Sequence, residues 1–227
     1  MEKVDKVPVV TVFGGSGFVG RYVVSRLADA GWRVRVPVRD RRQASFLCLC
    51  GDVGQVEPVY VNVADEGAIR RVVNGSSAVI NLIGVLFEKR KQRFDYLHAK
   101  LPGLIATAAR DAGADSFIQV SAIGADVDSP STYGRSKAEG EGAARVSFSG
   151  ATILRPSIIF GAEDSFFNRF AEMTTLSPFL PLVGGGVAKF QPVFVGDVAE
   201  VILRSVKSPD IHGGKTYELG GPSVLSF

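Results

Sequence analysis

The chain has 227 residues, 46% of them hydrophobic and 22% charged, with a formal net charge of +3. This composition excludes a disordered chain and suffices for one sizeable core. The net charge is too small to mark a nucleic-acid partner. The longest uncharged stretch, Met173–Ala188, falls short of the ~20 apolar residues that span a bilayer.

Met1–Val7 is charged and lacks the apolar run of a signal peptide. A cytoplasmic chain is therefore expected, unless processing has removed a leader. Val7–Phe13 reads as a first strand and Val19–Ala30 as the helix after it, stopped by Gly31. Arg33–Val38 is a second strand. Cys48 and Cys50, one residue apart, match neither a disulfide framework nor a zinc spacing, so two reduced, partly buried thiols and no metal are expected.

Pro58–Val63 reads as a third strand, Asp65–Val73 as a helix, and the apolar run Ala78–Ile83 as a strand buried on both faces. A longer helix, Asp95–Ala112, ends at Gly113. Strands at Ser116–Val120 and Ala151–Leu154 flank a helix at Thr132–Ser147. Such alternation predicts a doubly wound α/β fold, a parallel sheet with helices on both faces. After Pro156 the pattern weakens. Ser177–Gly186 reads as a loop, Asp197–Val206 as a helix and Lys215–Leu219 as a short strand. A division into a nucleotide-binding domain, 1–160, and a small C-terminal lobe, 161–227, follows. The chain stops where another element would begin, so continuation of the natural protein beyond Phe227 is expected.

The glycine-rich segment Val12–Gly20 lies between the first strand and the first helix, the context required of a dinucleotide fingerprint. Gly14 supplies the tight turn, Gly17 admits a pyrophosphate, and Gly20 brings helix and strand together. The helix N-terminus, reached through Ser16, Phe18 and Val19, offers amides and a positive dipole end to the phosphates. About twenty residues on, the second strand runs into Arg39-Asp40-Arg41-Arg42. An Arg at this point accepts the 2′-phosphate of NADP, and an acid binds the ribose of NAD. Arg39 comes first, so NADP(H) is preferred, with NAD(H) through Asp40 as the alternative.

Tyr133 and Lys137 stand four residues apart, on one face of a predicted helix. A nearby ammonium favours phenolate and would lower the tyrosine pKa. Ser121 follows the fifth strand, at the sheet edge where ligands of such folds bind, and can orient a carbonyl. Tyr133, Lys137 and Ser121 are thus the candidate catalytic residues.

The glycine turn, Ser121, Tyr133 and Lys137, in this order, resemble the extended and atypical short-chain dehydrogenase/reductases, which include NAD-dependent epimerases and dehydratases. Segments Asn81–Gly84, Val120–Ala125, Ser129–Tyr133, Arg155–Gly161, Phe166–Phe170 and Gln191–Asp197 are similar to the branch containing the nucleotide-binding accessory subunit of respiratory complex I. The resemblance implies further cofactor contacts. Asn62 and Val63 would flank the adenine. Leu82, Ile83, Gly84 and Val120 would line the cofactor, and Pro156 and Ile158 would lie near the nicotinamide. It implies that the late strand returns to the main sheet. It also implies complex I subunits as partners, at the bacterial inner membrane or, for a processed eukaryotic chain, the mitochondrial matrix side. Leu176–Val183 and Lys89–Arg93 are candidate docking segments, the latter also for a membrane surface; a solvated loop is the plainer reading of the basic run. His98 stands where typical extended members carry Asn, and a packed or capping role is expected of it. Two readings stay open: an accessory protein holding a dinucleotide, and an active NADP(H)-dependent reductase or nucleotide-sugar epimerase.

Overall fold

The computed structural model describes residues 7–89, 93–164, 168 and 189–226. In chain order, the main strands are β1 (Val9–Phe13), β2 (Arg33–Val38), β3 (Val56–Tyr60), β4 (Ala78–Asn81), β5 (Ser116–Val120) and β6 (Thr152–Pro156). Two-residue strands follow at Ile159–Phe160 (β7), Lys189–Phe190 (β8) and Val193–Phe194 (β9), then β10 (Thr216–Leu219) and β11 (Leu225–Ser226). The helices are α1 (Phe18–Asp29), α2 (Glu66–Val73), α3 (Leu101–Asp111), α4 (Thr132–Ser147), α5 (Val195–Lys207) and a single turn α6 (Pro209–His212).

Seven strands form one parallel sheet in the order β10-β6-β5-β4-β1-β2-β3. The order reverses between β1 and β4, and such a switch point opens a crevice at the carboxyl ends of the strands. The late strand joins the sheet beside β6, as the resemblance implies. The sheet separates two apolar layers. On one side Val23, Val24 and Leu27 of α1 pack with Val198 and Ile202 of α5. On the other, Ile69 of α2, Leu101 and Ile105 of α3 and Ala144 of α4 pack together. The central strands are buried on both faces, which is why β4 reads as an unbroken apolar run.

Several boundaries differ from the sequence reading, each with a local cause. β3 starts at Val56 rather than Pro58. It is the edge strand, where a residue without an N–H is tolerated. The long helix expected over Asp95–Ala112 begins as a π-helical turn, Asp95–Lys100, before α3. Pro102 sits four residues after His98 and cannot donate to the His98 carbonyl, so the regular α-ladder cannot close there. Ser45–Cys50 forms a 3₁₀ turn in which Cys48 is exposed rather than half-buried; both thiols are free. Burial raises the Cys50 thiol pKa. The loop expected over Ser177–Gly186, the candidate docking segment Leu176–Val183, most of Phe166–Phe170 and the centre of Lys89–Arg93 lie outside the described residues.

Candidate functional site

A cleft of about 860 Å³ opens at the switch point, at the carboxyl edge of the sheet. Its floor is the glycine turn. Gly14 has a φ of +78°, and a Cβ there would lie 3.0 Å from the Leu82 carbonyl carbon. The residue therefore meets both demands that favour glycine, a left-handed backbone and a close neighbour. At Gly20 a Cβ would press on the Gly14 carbonyl oxygen and on Gly15. Gly17 differs: φ is −81°, and a Cβ would meet nothing within 4 Å but the Gly14 oxygen, at 3.3 Å. Packing makes only this one close approach at Gly17, which lines the cleft. No side chain caps α1 and no acid lies in its first turn, so its N-terminal amides and dipole are available to an anion.

Phe18, Val19, Leu82 and Gly84 line the cleft with the glycines. Val120, Ser121, Tyr133, Lys137, Pro156 and Ile158 line the same cleft. The remaining expected contacts lie outside this cavity. Ser16 is exposed in the turn. Ile83 is half-buried on the α2/α3 side, its amide donating to Asn81 Oδ1 at 3.1 Å. Arg39 is exposed at the carboxyl end of β2, and neither an ion pair nor a side-chain hydrogen bond engages it among the described residues. Asp40 turns inward locally, Oδ1 accepting the Arg42 amide at 2.9 Å. Asn62 is exposed beyond β3 with Oδ1 accepting the Ala64 amide, and the Val63 carbonyl accepts the Tyr96 hydroxyl at 2.7 Å.

The polar end is built on α4 and β5. Lys137 is buried, and its Nζ donates to the Val120 carbonyl at 2.9 Å. Burial lowers its pKa from 10.5 to about 8, partly opposed by Glu141 one turn on. Glu141 is itself held by a two-pronged pair with Arg155, at 2.9 and 2.8 Å. Tyr133 is half-buried and burial raises its phenol pKa. The expectation that Lys137 draws the phenol down is thus not met: the ammonium is directed at Val120, and desolvation dominates. Tyr133 is accordingly a neutral phenol at pH 7. Ser121 Oγ is buried in the cleft wall without a hydrogen-bond partner among the described residues. A buried hydroxyl left unpaired is costly, and Ser121 Oγ, on the cleft wall, is free to bond a polar atom there.

Sequence reasoning missed a buried network behind the site. The Ile83 amide donates to Asn81 Oδ1, Asn81 Nδ2 to Gln119 Oε1 at 2.8 Å, and Gln119 Nε2 to the Val120 carbonyl at 3.0 Å, the same acceptor Lys137 uses. The signal was legible: Asn81 and Gln119 are the polar residues closing two apolar strands, and they face each other in register. The wall residues Ile123, Lys189, Phe190 and Gln191 were also missed; the last three come from strands and loops too short to carry a pattern.

The sequence from residue 10 to 220 matches the NAD dependent epimerase/dehydratase family, and the chain belongs to that family. It is 43% identical over 220 residues to the Arabidopsis thaliana protein "NADH dehydrogenase [ubiquinone] 1 alpha subcomplex subunit 9, mitochondrial", covering 96% of this chain and 55% of that one. It is 32% identical over 201 residues to a ceramide reductase of Caulobacter vibrioides, covering 88% and 62%. The chain thus spans a little over half the length of these relatives. Among solved structures, MoeE5 in complex with UDP-glucose and NAD superposes with a TM-score of 0.79 at 18% identity, over 96% of this chain and 77% of that one, a likeness of fold. Family and cleft agree on a nicotinamide dinucleotide as the ligand, and the glycine cradle and the unpaired Ser121 hydroxyl fit it. No helix among the described residues is long and apolar enough to cross a membrane.

Proposed function

We propose that this chain is the nucleotide-binding lobe of an accessory subunit of the complex I type, holding NADP(H) in preference to NAD(H). The observation that carries the reading is the 43% identity, sustained over 96% of the chain, to a complex I alpha subcomplex subunit. On this reading Gly14, Ser16, Gly17, Phe18 and Val19 receive the pyrophosphate at the start of α1. Asn62 and Val63 flank the adenine, and Leu82, Ile83 and Gly84 line the dinucleotide. Val120, Pro156 and Ile158 enclose the nicotinamide end, beside Tyr133 and Lys137. Arg39 accepts the 2′-phosphate: it follows β2 directly and is free of competing bonds among the described residues, while Asp40 is engaged by the Arg42 amide. Residues 1–160 are the nucleotide-binding domain, and 161–227 are a partial lobe interleaved with its sheet, which adds Lys189, Phe190 and Gln191 to the cleft wall. The protein is placed peripherally, against complex I subunits at the mitochondrial matrix side or its bacterial equivalent.

The test follows fluorescence of NADPH during a chase with excess NADP, in wild type and Arg39→Ala. Slow release, over hours, with complex I subunits co-purifying from the native source, supports a resident cofactor. Wild-type affinity for NADPH no higher than for NADH, or unchanged in Arg39→Ala, would sink the 2′-phosphate assignment.

A second reading, a reductase or epimerase, is favoured by one observation, the Ser121 hydroxyl, unpaired among the described residues, in the same cleft as Tyr133. A bound nicotinamide would supply or accept the hydride. Ser121 Oγ would donate to a substrate carbonyl oxygen and hold it near Tyr133. The Tyr133 hydroxyl, kept protonated by burial, would give its proton to that oxygen, which suits reduction better than alcohol oxidation. Lys137, as an ammonium, would offset the negative charge left on Tyr133. Release of NADP within seconds, and carbonyl reduction abolished in Tyr133→Phe, would establish this reading over the first.

A further inference from the structure

His98 is absent from the cleft lining, yet it joins two of the cleft's walls. The residue lies on the π-helical turn before α3 and is 2% exposed. Its Nε2 accepts the Val85 amide at 3.0 Å. Its Nδ1 lies 3.1 Å from Ser136 Oγ, and that hydroxyl donates onward to the Tyr133 carbonyl at 2.8 Å. The network fixes the tautomer. The single Ser136 proton is committed to Tyr133, so Ser136 accepts from the imidazole, and Nδ1 carries the hydrogen. Nε2 faces an N–H and must present a lone pair.

The surroundings hold this state. The ring stacks on Phe94 with centroids 4.9 Å apart and stands edge-on to Tyr133 at 5.4 Å. The loop after β4 passes close by: a Cβ on Gly84 would lie 3.9 Å from both His98 Nε2 and Lys137 Nζ. A second proton on the ring would confront the Val85 N–H and the Lys137 ammonium. Burial and Lys137 accordingly lower the His98 pKa from 6.5 to about 4.

We propose that His98 is a positioning residue for the dinucleotide site: a neutral, Nδ1-protonated clamp that fixes the Gly84–Val85 loop against the Tyr133 turn of α4. It acts through Val85 and Ser136 and touches neither ligand nor reacting atoms. The inference rests on the dinucleotide reading for its effect on affinity, whereas the clamp itself is testable without nucleotide.

The chain has two histidines, so imidazole nitrogen NMR of the wild type gives two ring systems, with His212→Gln assigning the other. The expected result is the Nδ1–H tautomer for His98 at pH 7, unchanged down to about pH 5. An Nε2–H tautomer, or protonation near pH 6.5, overturns the clamp. Variants then separate its two arms. Gln places a side-chain oxygen where Nε2 stood, and Asn a donor where Nδ1 stood. His98→Leu should speed Val85 amide exchange and weaken NADPH binding about tenfold, as expected for one lost hydrogen bond of roughly 1.4 kcal/mol. His98→Gln should restore Val85 protection and bring affinity within about threefold of wild type, while His98→Asn should behave like Leu. Equal weakening in all three variants, in step with their melting temperatures, would make His98 merely structural. If the wild type binds no dinucleotide, that reading fails alone, and Val85 exchange across the variants still decides the clamp. If the variants do not fold, the wild-type tautomer and titration decide it.

Discussion

Gly140→Ala should destabilise the protein, while Gly142→Ala, two residues away on the same helix, should stabilise it. At Gly140 a Cβ would fall inside the His98 carbonyl oxygen, 3.0 Å from the His98 carbonyl carbon and 3.1 Å from Pro102 Cγ. The principal obstacle is backbone, so no rotamer change relieves the clash and α4 must move away from the π-helical turn. Overpacking of this kind costs about 3 kcal/mol. The better helix propensity of alanine returns about 1 kcal/mol, leaving a net loss of about 2 kcal/mol. For a chain of this size the melting temperature should fall by about 4–8 °C. Gly142 is exposed and a Cβ there meets nothing within 4 Å. That variant keeps only the propensity gain, about 0.5–1 kcal/mol, and should melt about 1–4 °C higher. Differential scanning calorimetry of the three proteins at pH 7 decides it. If the two variants shift in the same direction by similar amounts, α4 does not approach His98 as described, and the account of how the site is framed fails with it.

Gly17→Ala should fold with stability within about 1 kcal/mol of wild type, because its φ suits alanine, yet lose at least about tenfold in NADPH affinity by isothermal titration; unchanged affinity would mean that nothing approaches the turn. Ser121→Ala, which removes a buried hydroxyl without a partner among the described residues, should raise the ligand-free stability to urea by about 1 kcal/mol; a loss of that size would show that the hydroxyl is already satisfied. Lys137 gives a pH signature. Its pKa is about 8 folded and 10.5 unfolded, so the unfolded chain binds the extra proton between these values and stability rises with pH across the window. Lys137→Met should therefore exceed wild type by about 2–3 kcal/mol at pH 7, with the gap narrowing from pH 8 to 9.5; the raised Cys50 thiol and tyrosines 22, 96 and 133 oppose the rise but are common to both proteins and cancel in the gap. A gap that stays constant over that interval would show that Lys137 is not desolvated.

The elements whose chemistry is local were legible in the sequence. The glycine turn could be read because Gly14 and Gly20 answer to sterics within the same strand–turn–helix unit. Thr132–Ser147 was bounded correctly, although the face it buries is Gly134, Ser136, Lys137, Gly140, Glu141 and Ala144 rather than an apolar stripe. The family-level reading of the site rested on Ser121, Tyr133 and Lys137, and these do converge on one cleft. Arg39 and Asn62, in contrast, end strands on the far side of the switch point and lie outside that cavity, so strand order alone did not place them against it.

What escaped the sequence reading depends on two segments meeting. Pro102 alone announces an irregular helix and, four residues back, a His98 carbonyl without its usual donor, but not which element approaches that carbonyl. Gly140 alone looks like a weak point in α4, but not that it is where the freed carbonyl is approached. Once the two helices pack, these features explain each other. The missing proline N–H opens the helix into a π turn, the missing Cβ lets α4 close on it, and His98 is brought between Val85 and Ser136. Lys137 is then held one turn from Tyr133 with its ammonium drawn to β5 rather than to the phenol. The spacing of Tyr133 and Lys137 therefore identifies the helix face correctly and misjudges the electrostatics. Spacing places an ammonium near a phenol, but the competing acceptor, the Val120 carbonyl, is delivered by a strand that the spacing cannot see.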